Sequence, residues 1–225
     1  MKQLITTQLR VVFCQYPVIS ILLFIIFMPL QLLLVCFGQE NGFSVKAYHA
    51  DQHLVTWLMV HLPWFLSYLL PAIFLFPVIG QLRSFISLMV EIRLSGKFTY
   101  TLASYATVGL TSIITTLSFA FLPMLISHES SDFLETATWL VSILTATIGF
   151  FCFAAAFNET YAFLLYVATL ILTASVHHPY LIVTSLDQSP AFTVNNLVVN
   201  LVYLFSFFLI LLLIFKHRNF NLVTR

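Results

Sequence analysis

The chain has 225 residues, of which 60% are apolar and only 8% are Asp, Glu, Lys or Arg. A typical soluble domain has roughly a quarter of its residues charged, and such a surface is what keeps it in solution. The composition therefore predicts a protein that is surrounded by a lipid bilayer. With a formal net charge of only +1, we expect no nucleic acid among its partners.

Six apolar stretches without any Asp, Glu, Lys or Arg have about the length that a membrane helix requires, roughly 20 residues for the hydrocarbon core. The runs are continuous and do not alternate between polar and apolar, so helices are favoured over a transmembrane barrel. We predict an all-α, polytopic membrane protein with one transmembrane domain, 1–225. Its six transmembrane helices are expected at about 18–37, 57–80, 101–126, 138–157, 161–176 and 197–215.

Charged residues are distributed unequally between the two sides of this six-span arrangement. Every Lys and Arg except Lys46 lies on one side, and every Asp and Glu except Glu91 and Glu159 lies on the other. Because basic residues concentrate in cytoplasmic segments, both termini are predicted to be cytoplasmic. We expect a multi-pass protein of the cell membrane, specifically the bacterial cytoplasmic membrane.

Residues 1–16 have the pattern of a short amphipathic helix that lies in the cytoplasmic interface and ends where Pro17 leads into the first span. An unstructured start is the alternative. The apolar positions recur at helical spacing, and the polar positions fall on the opposite side; the apolar set is Ile5, Leu9, Val12, Phe13 and Tyr16, and the polar set is Lys2, Gln3, Thr6, Thr7 and Arg10.

The second predicted span contains three prolines, Pro63, Pro71 and Pro77. Each proline lacks the backbone N–H that a helix interior uses. We therefore predict that this span is bent.

Small and hydroxylated residues follow one face of the third span and one face of the fourth. Such stripes let membrane helices approach closely, so helix packing is the first interpretation. A polar track for a substrate is the second, and its candidate residues are Thr107, Thr111, Thr115, Ser142 and Thr145.

The predicted cytoplasmic segment 81–105 has an unusual concentration of charge. Arg83, Glu91, Arg93 and Lys97 lie within fifteen residues, and Gly96 follows the first three. A short amphipathic helix that ends at Gly96 would present an oriented, charged surface to a cytoplasmic partner. Alternatively, these bases only keep the loop inside.

The arrangement of Glu91, Arg93, Gly96 and Tyr100 resembles the first cytoplasmic loop of the membrane subunits of type-2 ATP-binding-cassette (ABC) exporters. Six spans, inward termini and an N-terminal interfacial helix are also similar to that family. The resemblance implies that the loop docks on a separate ABC ATPase subunit, and the expected contact residues are Arg83, Glu91, Arg93, Gly96, Lys97 and Tyr100.

The resemblance further implies that two membrane subunits, either a homodimer or two related chains, enclose the pathway. No G-x-x-x-x-G-K-[ST] occurs in the sequence, so this chain does not hold ATP phosphates itself. We expect no enzymatic activity and no cofactor in the chain, with ATP and Mg in the partner ATPase. The abundance of Phe, 24 residues, suggests a hydrophobic or amphipathic cargo such as a peptide or a lipid.

Histidines on the predicted outer side offer a competing function. Imidazole binds metals and haem and titrates near neutral pH, so a metal- or haem-handling protein is the main alternative; its candidate ligands are His49, His53, His61, His177 and His178. A subunit with a purely structural role is the third interpretation. An ion-coupled carrier is disfavoured, because we expect Gln31, His61 and hydroxyl groups to be the notable polar groups inside the spans.

Overall fold

A computed structural model describes residues 2–14, 25, 26, 29, 54–62, 64–76, 79, 97–118, 133–175 and 190–217. In these residues the chain is helical apart from short turns, and no strand is present, which confirms the all-α prediction for this part of the chain. The helices are α1 Lys2–Cys14, α2 Leu54–Val60, α3 Trp64–Phe76, α4 Lys97–Thr116, α5 Phe133–Ala156, α6 Glu159–Ser175 and α7 Pro190–His217.

The helices correspond closely to the predicted spans. The second span corresponds to α2 and α3, and helical hydrogen bonds continue between them, since Phe65 N–H donates to the carbonyl of His61 at 3.0 Å. The predicted bend at the three prolines stays a prediction. α4 begins four residues earlier than the predicted third span, and α7 begins seven residues earlier than the sixth. Most of the first predicted span, 18–37, lies outside the described residues.

Two helical segments are long and apolar enough to cross a membrane, judged by length and composition, namely Thr136–Ala156 and Val194–Phe215. Two shorter apolar helices, Trp64–Phe76 and Glu159–Thr173, pack with them. Two such segments agree with a membrane location.

Contacts between the helices fix their relative directions. Thr145 bonds the carbonyl of Asn200, and Cys152 bonds the carbonyl of Phe207, so α5 and α7 run parallel. Tyr100 packs on Phe215 while Tyr105 bonds the carbonyl of Leu204, so α4 runs antiparallel to α7.

The other two long helices follow the same alternation. Phe150 contacts both Phe163 and Tyr166 across the turn that joins α5 to α6, so these helices are antiparallel. Phe76 packs on Phe163, and Tyr166 bonds the carbonyl of Tyr68, so α3 is antiparallel to α6. We call the end where α4 and α6 begin the basal end, and the end where α3, α5 and α7 begin the apical end.

The predicted N-terminal segment is helical, as α1, while its position in the membrane interface stays a prediction. Its polar positions Thr6, Thr7 and Arg10 are exposed, whereas Val12 is buried in the core and Phe13 packs against it. The amphipathic pattern therefore turns the apolar side of α1 onto the bundle.

Large apolar side chains cover the outside of the bundle. On α7 they form a stripe at helical spacing, in which Phe205 is 64% exposed. Similar stripes occur on α4 and α6, and together they include Leu110, Ile113, Ile114, Leu117, Leu164, Leu165, Leu172, Val198, Leu201, Val202, Phe205, Leu209 and Leu213. The interior, by contrast, contains many hydroxyl and amide side chains.

Candidate functional site

Polar side chains form a connected layer across the bundle, from its apical half to its centre. It extends from α3 through α5 to α4 and α7, and nearly all of its side chains are fully buried. We call this set the polar layer; it consists of Trp64, Tyr68, Ser112, Thr115, Thr116, Ser142, Thr145, Thr147, Asn196 and Asn200.

The α3 side of the polar layer is built on aromatic residues one helical turn apart. The rings of Trp64 and Tyr68 lie 4.8 Å apart, and the Tyr68 hydroxyl is 2.7 Å from the Ser142 hydroxyl of α5. Tyr166 of α6 donates to the backbone carbonyl of Tyr68 at 2.7 Å. The Nε1 donor of Trp64 is buried, with no hydrogen-bond partner in the described part of the chain.

The α7 side of the layer consists of two asparagines one turn apart. Asn200 Nδ2 donates to the Oδ1 of Asn196 at 2.7 Å and to its backbone oxygen at 3.0 Å. A backbone carbonyl only accepts, so the atom facing it must be the amide nitrogen and the side chain cannot be flipped. Consequently Asn200 Oδ1 points away from Asn196, and this buried oxygen has no partner among the described residues.

The α4 side of the layer consists of hydroxyl residues near the end of this helix. Ser112 Oγ donates to Thr147 Oγ1 of α5 at 3.2 Å, which joins the two helices. Thr115 satisfies its hydroxyl by bonding the carbonyl of Thr111 at 2.8 Å. Thr116 is 2% exposed, and its Oγ1 has no partner in the part of the chain that is described.

A second polar contact joins α1 to the basal half of α4. Gln8 is 1% exposed; its Nε2 donates to Ser104 Oγ at 3.3 Å, and its Oε1 accepts from Thr107 Oγ1 at 2.8 Å. Tyr100 is buried beside the side chains of Gln8 and Ser104. We call Gln8, Tyr100, Ser104 and Thr107 the Gln8 clamp.

The small residues of the fourth span pack α5 against α7. A Cβ atom at Gly149 would lie 3.1 Å from the ring of Phe207. Cys152 Sγ is 3.5 Å from the carbonyl oxygen of Phe207 and Thr145 Oγ1 is 3.4 Å from that of Asn200. The interpretation of this stripe as a close helix–helix contact is therefore confirmed at these positions.

The predicted substrate-track residues are all buried, and the structure divides them between two places. Thr115, Ser142 and Thr145 belong to the polar layer, Thr107 belongs to the Gln8 clamp, and Thr111 lies between them. The hydroxyls of Thr111 and Thr115 donate to the carbonyl four residues earlier at 2.8 Å, and that of Thr145 does so at 2.7 Å. The single proton of the Thr107 hydroxyl lies within reach of both the Ala103 carbonyl, at 2.9 Å, and Gln8 Oε1, at 2.8 Å. These hydroxyls are satisfied within the protein, so the substrate-track role stays a prediction.

Most of the predicted ATPase-coupling residues, namely Arg83, Glu91, Arg93 and Gly96, lie outside the described residues. Lys97 is the first residue of α4. The Tyr100 side chain is 3% exposed and its ring lies 5.5 Å from that of Phe215. Tyr100 therefore packs α4 against α7. Because its side chain is buried, Tyr100 could affect the predicted docking of the ATPase only by positioning α4.

Of the candidate histidine ligands, the structure describes only His61; His49, His53, His177 and His178 lie outside the described residues. His61 is buried, and its ring packs edge-on against Trp57 at 5.1 Å. Within the described ranges no group of three or more His, Cys, Asp or Glu side chains could hold a metal ion.

Two of the best-connected polar residues were not singled out from the sequence. Asn200 lies inside the predicted sixth span, so the expectation that Gln31, His61 and hydroxyls are the notable polar groups of the spans was wrong. Gln8 lies between Ile5 and Val12 at helical spacing, which places it on the apolar face of α1. In both cases the signal is an amide side chain on an otherwise apolar face.

No protein-family model, no curated protein and no solved structure matches this chain. Its function therefore has to be argued from its residues and their geometry.

Proposed function

We propose that this chain is the six-span membrane subunit of an ATP-driven exporter, with both termini in the cytoplasm and a separate ABC ATPase as its partner. The proposal of a membrane protein rests on the distribution of side chains in the bundle, which is apolar on the outside and polar inside; we call this its reversed polarity. The coupling part depends on the resemblance of the 81–105 segment and on the position of α4 at the end of that segment.

The reversed polarity fits a protein whose solvent is lipid. Leu164, Leu172 and Phe205 are more than half exposed, whereas Asn196 and Asn200 are fully buried. A surface of this kind aggregates in water but is the ordinary outside of a membrane bundle. Hydroxyl groups on the outside also bond their own helix, as Thr169 does to the carbonyl of Leu165 at 2.8 Å.

The distribution of charge along the bundle supports cytoplasmic termini. Lys97 begins α4 and Lys216 lies in the last turn of α7, so both are at the basal end. The Gln8 clamp joins α1, which contains Lys2 and Arg10, to the basal half of α4. The basic residues that begin α4 and end α7 therefore lie at the same end, as expected of a cytoplasmic face.

The position of α4 makes it suited to transmit movement of the predicted coupling loop. It begins at Lys97, directly after the charged segment that resembles the family's docking loop. Within its first three turns it contacts α1 through Gln8 and α7 through Phe215. A displacement of the loop would thus reach two further helices through buried contacts. ATP-driven transport requires that the two membrane arrangements differ in their affinity for the cargo.

The decisive experiment is capture of the tagged full-length chain from membranes in a mild detergent, followed by mass spectrometry of the proteins that accompany it. We expect an ABC ATPase in the eluate. The double variant Glu91→Ala with Arg93→Ala should reduce its recovery at least about tenfold, since removing a charged side chain from an interface costs on the order of 1 kcal/mol or more.

The matched control is Glu40→Ala with Lys46→Ala, which removes the same two charge types from the predicted outer side. This variant should recover the ATPase at the original level. A wild-type chain that is captured without any ATPase, or equal reductions in the two double variants, would contradict the proposed coupling.

A further inference from the structure

Three buried polar atoms without a partner among the described residues lie in the same half of the bundle. They are Trp64 Nε1, Thr116 Oγ1 and Asn200 Oδ1. Trp64 begins α3, Thr116 ends α4, and Asn200 lies in the third turn of α7. All three residues are therefore toward the apical end. From this we infer that the apical half of the bundle binds a hydroxyl group, supplied by water or by a hydroxylated solute.

The chemistry of the three atoms selects the ligand class. The indole nitrogen only donates, the Asn200 oxygen only accepts, and the Thr116 hydroxyl does both. A bare cation would leave the indole N–H unsatisfied, and an anion would leave the amide oxygen unsatisfied. A neutral O–H group donates and accepts, so it can satisfy all three kinds of atom.

Leaving such atoms unsatisfied is costly. A buried donor or acceptor without a partner costs about 1–3 kcal/mol, and the penalty increases in a lipid environment, where no water replaces the partner. Three of these in one half of a bundle are best explained by an occupant. Buried waters commonly have this role, with about three hydrogen bonds each.

The residues with the three unsatisfied atoms are linked to one another through α5. The Trp64 ring packs against that of Tyr68, whose hydroxyl bonds Ser142 of α5. One turn further along α5, the Thr145 hydroxyl lies 3.4 Å from the backbone carbonyl of Asn200. On another side of α5, Ser112 of α4, one turn before Thr116, donates to Thr147. The unsatisfied atoms thus belong to one polar layer that surrounds α5.

In the basal half, the buried amide side chain of the described residues is hydrogen-bonded through both of its polar atoms. It belongs to Gln8, whose partners are Ser104 and Thr107. Aromatic pairs close the bundle next to it, with Tyr100 on Phe215 and Tyr105 on Phe208. We therefore place the hydroxyl site toward the apical end, with a satisfied and closely packed basal end beneath it.

Hydroxyl-radical footprinting of the purified full-length chain tests the proposal, because radiolysis of an ordered water oxidises the side chain next to it even when that side chain is buried. Trp64 is 1% exposed and Tyr100 is 3% exposed. After correction for intrinsic reactivity, we expect Trp64 to be oxidised at least about fivefold faster than Tyr100. Equal rates for the two residues would overturn the proposal.

Adding glycerol, as the hydroxylated solute, separates the two sources of the hydroxyl group. The radical dose is normalised on Tyr161, which is 71% exposed. If the site takes a hydroxylated solute, glycerol lowers the normalised oxidation of Trp64 at least twofold. If it holds tightly bound water, Trp64 stays reactive and glycerol has no effect. Either result supports a hydroxyl site.

The variants Thr116→Val and Gln8→Leu provide an independent readout in thermal unfolding. Thr116 Oγ1 bonds no described residue, so Thr116→Val lowers the melting temperature only if the hydroxyl bonds a bound O–H group. Gln8→Leu, which removes two bonds between described residues, calibrates the size of such a decrease. An unchanged or raised melting temperature for Thr116→Val would overturn the proposal, because removing a buried hydroxyl without a partner does not destabilise the fold. Neither measurement involves the ATPase, so its outcome is separate from that of the proposed exporter function.

Discussion

Thr107 of α4 donates a hydrogen bond of 2.8 Å to the side-chain oxygen of Gln8, ninety-nine residues earlier in the chain. This bond and the 3.3 Å contact of Gln8 with Ser104 give the N-terminal helix a defined place on the bundle. α1 is amphipathic, and an apolar face alone would allow it to slide or rotate. A buried amide with two partners fixes one register, because any shift would leave polar atoms unpaired.

The first prediction concerns this clamp. Gln8→Leu should lower the free energy of unfolding by on the order of 1 kcal/mol, since it removes the buried bonds of Gln8 to Ser104 and Thr107. Thr107→Val should cost a similar amount. In the double variant the two effects should not add, because both substitutions remove the same hydrogen bond. Thermal unfolding of the wild type, the two single variants and the double variant in one detergent measures whether the effects add.

An exposed residue on the same helix is the control for the clamp. Arg10 is exposed, so Arg10→Gln should leave the unfolding transition unchanged. Full additivity of the two single effects would show that Gln8 and Thr107 act separately, contrary to the clamp.

The second prediction compares two glycines in neighbouring helices. A Cβ atom at Gly149 would lie 3.1 Å from the Phe207 ring, whereas at Gly109 it would lie 3.6 Å from Leu144, an ordinary contact. Gly149→Ala should therefore destabilise the α5–α7 contact relative to Gly109→Ala. The latter should be neutral or stabilising by up to about 1 kcal/mol, because alanine favours the helix.

A side chain larger than that of alanine should increase the difference in stability between the Gly149 and Gly109 variants. Gly149→Leu should cost about 1–3 kcal/mol through overpacking, and shortening the opposing ring with Phe207→Leu should restore part of it. Thermal unfolding of the single and double variants gives the comparison. An equal response of the two glycines to alanine would mean that α5 and α7 are less closely packed than the structure has them.

The third prediction concerns the turn between α5 and α6. Asn158 Oδ1 accepts from the backbone N–H of Thr160 at 3.1 Å, and its backbone carbonyl accepts from Ala162 at 2.9 Å, so it caps α6. Asn158→Ala should cost about 1 kcal/mol, while Asn158→Asp should keep most of the stability, because aspartate caps equally well. The melting temperatures of the wild type and the two variants test this prediction. Equal values for Asn158→Ala and Asn158→Asp would show that the Asn158 side chain does not cap α6.

The sequence predicted the helices well and their polar contacts poorly. α5 and α6 begin and end within five residues of the predicted spans, because uncharged apolar runs of about 20 residues are a strong signal. The close packing of α5 along the stripe of small residues that includes Gly149 and Cys152 could also be predicted, since small residues at helical spacing indicate helix contact. These features depend on neighbours along the chain.

The clamp and the polar layer depend on pairs distant in sequence. Tyr68 meets Ser142 and Gln8 meets Thr107 because of how the helices are arranged. Periodicity identifies the face of a helix on which a residue lies, but it does not identify the opposing helix or its register. Asn200 could have been noted as an amide in an apolar run, yet its bond to Asn196 and its unpaired oxygen required the structure.

The last prediction separates a membrane bundle from a soluble one. Phe205 is 64% exposed in the middle of α7, within the segment Val194–Phe215 that is long and apolar enough to span a bilayer. Phe205→Asp should reduce insertion into membranes, since a carboxylate at the centre of a spanning helix costs about 3 kcal/mol. Phe205→Leu is the apolar control and should insert normally. Fractionation of cells that express each variant, with carbonate extraction of the membranes, measures insertion. If Phe205 faced water in the assembled protein, the aspartate would instead raise the soluble yield, and the membrane assignment would be wrong.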